Sequence, residues 1–226
     1  MTLTQIIKNL REQRNLENVA GMARFGINPN NTLGVPIPYL RALAKKIGRD
    51  HQLARQLWQT KIHEARILAG MIDEPLKVSK KQIDQWAADF DSWDVCDQVC
   101  LNLFDKTPFA FQKAVELTKS KKEFVRRSGF ALMAALAFHN KTAKDAQYIK
   151  FFSLIKKYAT DERNYVKKAV NWALRQIGKR NATLNKAAIK TAREILTINT
   201  KSARWIAGEA LRELTGEAAQ KRLNKR

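Results

Sequence analysis

One recurring pattern limits what this chain can fold into more than any other feature. It consists of an apolar residue, then polar or basic positions, then a helical apolar run. It reads FVRRSGFALMAAL from Phe124, YVKKAVNWALRQI from Tyr165 and SARWIAGEALREL from Ser202. The anchors Val125, Val166 and Ala203 lie 41 and 37 residues apart, and the last two copies share Ala-Leu-Arg at 173–175 and 210–212. Weaker copies stand upstream, HEARILAGMI with Ala65 as anchor and WDVCDQVCLNLF with Val95, at spacings of 30 and 30. Units of roughly 30 to 45 residues, each holding two helices, describe HEAT-like antiparallel pairs stacked into a solenoid, where each unit buries its apolar face on its neighbours.

Proline placement agrees with an all-α reading. The five prolines all lie in the first half, and none occurs from Phe109 to Arg226, where Ala, Leu, Lys, Arg, Gln and Glu dominate. Alternating β-branched runs joined by Asn-Gly turns are missing. Thr107-Pro108 reads as a helix start, with Thr as N-cap and Pro at the first helical position. Further helices are expected over 144–158 and 185–196, with Gly178 ending the helix of the Val166 unit. Asp89 and Asp91 read as caps for the helix that follows them. The segment from Phe25 to Pro38 reads as a loop. No linker interrupts the chain, so one array over residues 1–226 is the expected domain.

The 226 residues are 45% apolar, enough for a sizeable core. No stretch approaches the ~18 uncharged apolar residues of a membrane span, and the polar start MTLTQIIKNLREQRN does not read as a signal peptide. Cys96 and Cys100 are the only cysteines. They provide neither a disulfide framework nor a zinc ribbon, so the cytoplasm is the expected compartment.

Charge points to the partner. Forty-two Lys and Arg against twenty-one Asp and Glu leave +21, and the excess is uneven: residues 1–100 carry +3 and residues 101–226 carry +18. Such a field favours a polyanion, nucleic acid first. The pool of candidate phosphate contacts includes Arg41, Arg126, Lys167, Lys168, Arg175, Lys179, Lys201 and Arg204, with Lys122 and Arg180 beside them.

Aligning the anchors predicts which side chains meet. Two residues past the anchor stand Asp97, Arg127 and Lys168 in successive units, with Trp205 one unit on. Trp93 lies four residues before Asp97, and Trp172 four after Lys168. Steps of four keep side chains on one helical stripe. Trp93, Asp97, Arg127, Lys168 and Trp172 are therefore expected on one concave surface. For Trp205 the register allows a stacking contact or core packing.

A lone carboxylate in a basic groove is poorly placed for phosphate but well placed for a substrate that becomes positive. Cleavage of an N-glycosidic bond passes through an oxocarbenium-like sugar, which a carboxylate stabilises or supplies with oriented water. If the base is an alkylated purine it carries its positive charge before the bond breaks and leaves neutral, so it needs no general acid and one carboxylate suffices. Indole faces can hold a cation for on the order of 0.5–2 kcal/mol each.

These residues resemble a known family. FDSWDVCDQV, FVRRSGFALMAAL and NYVKKAVNWALRQIGK, preceded by MARFGI and LGVPIPYLRALAKKI, are similar to the DNA alkylation repair glycosylases of the AlkD type, from about Leu10 to Leu214. The resemblance implies HEAT-like repeats around a basic groove; a monomer is the expectation for a groove enzyme of this size, and the nucleoid its expected place in the cytoplasm. It also implies excision of N3-alkyladenine and N7-alkylguanine from double-stranded DNA without a base-flipping pocket. By the same resemblance Asp97 is the catalytic carboxylate, Trp93 and Trp172 pack the lesion-bearing deoxyribose, and Arg127 holds the backbone. The chain departs from the family pattern at Ser92, where a second tryptophan can stand, at Phe25 for a tyrosine, at Pro36 for a glutamine and at Asn164 for an aromatic residue.

His51, His63 and His139 are far apart and show no metal-ligand spacing, so neither metal nor cofactor is expected. Cys96 and Cys100 share a helical face and read as small core residues. Asp94 reads as structural. The competing class is a non-catalytic HEAT-repeat binder of DNA or structured nucleic acid, which needs the basic groove but not the Trp-Asp-Arg-Trp set.

Overall fold

In a computed structural model, described over residues 1–224, all regular structure is helical. The described chain gathers into two compact units, Met1–Pro108 and the part that begins at Phe109. The first unit holds α1 (Leu3–Glu12), α2 (Leu16–Arg24), α3 (Ile37–Ile47), α4 (His51–Gln59), α5 (His63–Ile72), α6 (Lys80–Ala88) and α7 (Trp93–Asn102). The second holds α8 (Ala110–Thr118), α9 (Glu123–His139), α10 (Asp145–Lys157), α11 (Asn164–Gly178), α12 (Ala182–Leu196), α13 (Lys201–Thr215) and α14 (Glu217–Asn224).

The repeat has a structural meaning. Ala65, Val95, Val125, Val166 and Ala203 are each the third residue of their helix, α5, α7, α9, α11 and α13, and all five are buried. The weak upstream copies thus share the register of the strong ones. Side-chain caps fix many of the helix starts: Thr2, Asn15, Asp50, Ser79, Asn181 and Thr200 each accept a hydrogen bond from a first-turn amide, meeting donors that the helix leaves open.

Each unit is built around one helix buried on nearly every side. In the second, α9 packs on α8 and on α11, and it is buried without interruption from Arg127 to Ala137. Helix α11 in turn packs on α12 and α13. In the first, α5 contacts α1, α3, α4 and α7, and of its ten residues only Met71 escapes burial. A helix enclosed in this way loses the one-sided stripe of a surface helix. It also buries His63, Glu64 and Arg66, and each of these has a partner.

Three local expectations are corrected. Thr107 does not cap α8: its hydroxyl donates to the Phe104 carbonyl 2.8 Å away, closing a 3₁₀ turn at Phe104–Lys106, and the helix begins at Ala110. Asp89 and Asp91 do not cap α7, whose N-cap is Ser92. Asp89 accepts from the Trp58 indole and Asp91 from the Asn28 amide, each at 2.9 Å. Both carboxylates are drawn to side-chain donors on other elements rather than to the amides that follow them in sequence.

Candidate functional site

Helix α7 carries the carboxylate. Asp97 sits in its second turn and is half-buried, neither sealed in the core nor fully solvated. Trp93 opens the helix one turn earlier and is also half-buried. Its indole N–H donates to the Phe25 carbonyl at 3.1 Å, which ties the ring to the C-terminal end of α2. Behind them Val95, Cys96, Val99 and Cys100 are buried. Burial first, then the neighbouring Cys96 and the negative charge of Asp97, push the Cys100 thiol well above its ordinary range, which leaves it no role as a thiolate nucleophile.

The ring of Trp93 also walls an apolar cleft of about 570 Å³, lined with Met22, Phe25, Val35, Ile67 and Gln98 among others. Its floor is held by two carboxylates of different type. Glu64, 1% exposed, accepts from the main-chain amides of Leu33, Gly34 and Val35 at 2.6–3.2 Å. Gly34 makes this close turn possible: its φ is +77°, and a Cβ there would lie 2.2 Å from the Asn15 carbonyl oxygen. Asp94 accepts from His63 Nε2 at 2.7 Å. Burial lowers the His63 pKa, but the hydrogen bond and charge of Asp94 outweigh it, and the net shift is upward.

The second unit carries the other expected site residues. Arg127, on α9, is only 6% exposed, and its Nη1 donates to the Tyr165 carbonyl at 2.7 Å, bracing α9 on α11. On α11, Lys168 is exposed and Trp172, one turn later, is half-buried. With the Gln176 amide oriented so that its oxygen faces both donors, that oxygen accepts from Trp172 Nε1 at 3.2 Å and Lys179 Nζ at 3.3 Å.

The basic pool divides by partner. Arg126 is held by Asp161 (2.7 Å) and by the Thr118 carbonyl (3.0 Å), with its guanidinium 4.5 Å from the Tyr158 ring centre. Arg163 grips the same Asp161 through two nitrogens, at 2.9 and 2.6 Å. Burial alone would raise the Asp161 pKa, yet these guanidinium contacts bring it down to about 2. Glu213 neutralises Arg175 at 2.5 Å and Lys179 at 2.6 Å. Arg41, Lys168, Lys201 and Arg204 are exposed. Sequence reasoning missed the Glu213 and Asp161 clusters and the His63–Asp94 pair. A signal for the first existed, since Glu213 lies 38 and 34 residues beyond its partners, about one repeat. Among the described residues no group of three or more His, Cys, Asp or Glu is placed to hold a metal ion, and no helix is long and apolar enough to cross a membrane.

Comparison with known proteins bears on both fold and family. One solved structure aligns with a TM-score of 0.79 over 99% of this chain and 96% of its own, at 18% identity. It is described as a new family of proteins related to the HEAT-like repeat DNA glycosylases with affinity for branched DNA structures. At that identity the likeness establishes the fold: all-α, HEAT-like repeats. A designed armadillo repeat protein bound to the peptide (KR)4 aligns with a TM-score of 0.38 over 82% of this chain and 79% of its own, at 14% identity. No curated protein matches the sequence. The family model described as DNA alkylation repair enzyme matches residues 6–214, nearly the whole chain, and the protein belongs to that family.

Proposed function

We propose that this protein is a monomeric DNA N-glycosylase that hydrolyses the bond between deoxyribose and a cationic alkylated purine, N3-alkyladenine or N7-alkylguanine, in double-stranded DNA. The observation that carries the reading is Asp97, a partly exposed carboxylate one helical turn from a partly exposed indole, in a member of the DNA alkylation repair enzyme family. On this reading residues 1–226 act as one repeat domain, and Trp172 and Arg127 also take part in the reaction.

The chemistry follows from charge. The alkylated base departs with the bonding electron pair and becomes neutral, so no acid has to protonate it. Positive charge passes to the sugar, where the Asp97 carboxylate opposes it and orients a water whose oxygen bonds to C1′. That water's proton passes to Asp97 or to solvent, and an abasic site remains. Trp93, fixed through its N–H, and Trp172 pack against the polarised deoxyribose. Arg127 contributes a fixed positive charge towards the backbone, and exposed cations such as Lys168 contact phosphates and release counterions. No metal or cofactor enters this scheme.

Release of methylated base from an N7-methylguanine duplex, measured for the wild type and Asp97→Asn, tests the assignment. The variant should lose about 2–4 kcal/mol of transition-state stabilisation while still binding DNA. Near-equal excision by the two proteins overturns the role of Asp97.

A second reading has its own support, because the structural relative is described as having affinity for branched DNA. In that reading the chain binds branched DNA and cleaves nothing. Wild-type protein that binds a four-way junction but releases no alkylated base selects it.

A further inference from the structure

Among the tryptophans, Trp205 stands apart. Trp58 and Trp86 are each 4% exposed and stacked on one another, Trp93 and Trp172 are half-buried, and Trp205 is 37% exposed. It lies in the second turn of α13, at the same helical position as Asp97, Arg127 and Lys168 in theirs. The exposure removes core packing as the explanation of this residue.

Its surroundings are cationic. Lys167, near the start of α11, places its ammonium 5.4 Å from the Trp205 ring centre. Lys168, Lys201 and Arg204 are exposed on the opening turns of the same two helices, which pack together. The nearby acids are engaged elsewhere. Glu162 accepts from the Ser202 amide and hydroxyl, and Glu209 pairs with Arg212 at 2.5 Å. An exposed indole amid exposed cations is the composition of a stacking platform for nucleic-acid bases, where the ring takes a base face and the cations follow the backbone.

We propose that Trp205, with Lys167, Lys168, Lys201 and Arg204, forms a platform that stacks an unpaired DNA base. Base pairs inside a duplex have both faces covered by their neighbours, so a side-chain ring finds an unpaired base at a gap or in a single-stranded tail. Lys167 leaves the ring as the base arrives and contacts the adjacent phosphate. The platform adds a preference for DNA carrying unpaired bases. It rests on the DNA binding in the proposed function and not on catalysis.

Fluorescence anisotropy with two undamaged DNAs, a blunt duplex and the same duplex with a single-stranded tail, tests this at one fixed salt concentration. Wild type should bind the tailed DNA roughly tenfold more tightly. Trp205→Ala should lose most of that preference, Trp205→Phe should keep much of it, and neither should change affinity for the blunt duplex. Equal affinity of wild type for both DNAs, or equal weakening of both by Trp205→Ala, overturns the platform. So does no change on either DNA, an outcome that would turn attention to an acidic protein partner. Excision from a fully paired methylated duplex should be the same for Trp205→Ala and wild type. Loss of the tail preference with no wild-type excision therefore defeats the glycosylase reading alone.

Discussion

His63 Nε2 and Asp94 Oδ2 lie 2.7 Å apart at the start of two adjacent helices, α5 and α7, and the imidazole is almost wholly buried. The second oxygen of Asp94 is buried with no hydrogen-bond partner among the described residues. The hydrogen bond and negative charge of Asp94 favour the charged imidazole, which is the direction of the His63 pKa shift. A histidine whose pKa is higher folded than unfolded gives stability that is complete below the unfolded value of 6.5 and is lost as pH rises through the folded value. The thermal midpoint should fall as pH climbs from 6.5 through the folded value, and His63→Gln should flatten this dependence. Parallel midpoint-against-pH curves for the two proteins would contradict the coupling.

Glu64 gives a second prediction from the same helix. Its carboxylate receives three consecutive main-chain amides from the loop that precedes α3. Glu64→Gln keeps the shape but substitutes an amide nitrogen for one acceptor and removes the charge, which costs roughly 1.5–3 kcal/mol for a buried charge-assisted network. Hydrogen exchange should locate the damage: amides of Leu33, Gly34 and Val35 should exchange faster, while those of α9 should be slowed or hastened only as far as global stability changes.

Two helical glycines should respond to alanine in opposite directions. A Cβ on Gly129 would lie 2.7 Å from the Thr118 main-chain nitrogen and 2.9 Å from the Ala114 carbonyl oxygen, so the approach of α9 to α8 depends on its absence. At Gly208 in α13 a Cβ would have nothing within 4 Å. Gly208→Ala should stabilise by about 0.5–1 kcal/mol through helix propensity, whereas Gly129→Ala should destabilise by about 1–3 kcal/mol through overpacking. Chemical denaturation of both variants measures the contrast.

The fold was legible because the repeat is a packing signal. A residue in the third position of each of five helices has to be small or branched and apolar to meet its neighbour, and Ala65, Val95, Val125, Val166 and Ala203 satisfy that in plain sequence. Helix ends were less legible, since Thr107 and the aspartates before α7 had competing partners: a 3₁₀ carbonyl for Thr107, the Trp58 indole for Asp89 and the Asn28 amide for Asp91. At the candidate site, sequence showed which side chains share a helical position but not how far each is exposed. Asp97, Arg127, Lys168 and Trp205 hold equivalent positions, yet Arg127 is buried, Asp97 is half-buried and Lys168 and Trp205 are exposed. Nor does a count of cations reveal that Arg126 is held by Asp161, 35 residues away.

That difference among cations separates the roles of Arg126 and Lys168. Arg126 is shielded, paired with Asp161, bonded to the Thr118 carbonyl and stacked near Tyr158. Asp161 keeps Arg163 when Arg126 is removed, so the carboxylate is not left without a partner. Arg126→Ala should consequently lower stability by roughly 1–3 kcal/mol while leaving the salt dependence of DNA binding nearly unchanged. Lys168 is exposed, so Lys168→Ala should hardly move the thermal midpoint. It should instead reduce the slope of log affinity against log salt by about one, the signature of one lost phosphate contact. Titrating both variants with duplex DNA over a range of salt concentrations, beside their thermal unfolding, separates the two. A reduced slope for Arg126→Ala with unaltered stability would mean that its bond to Asp161 opens when DNA binds.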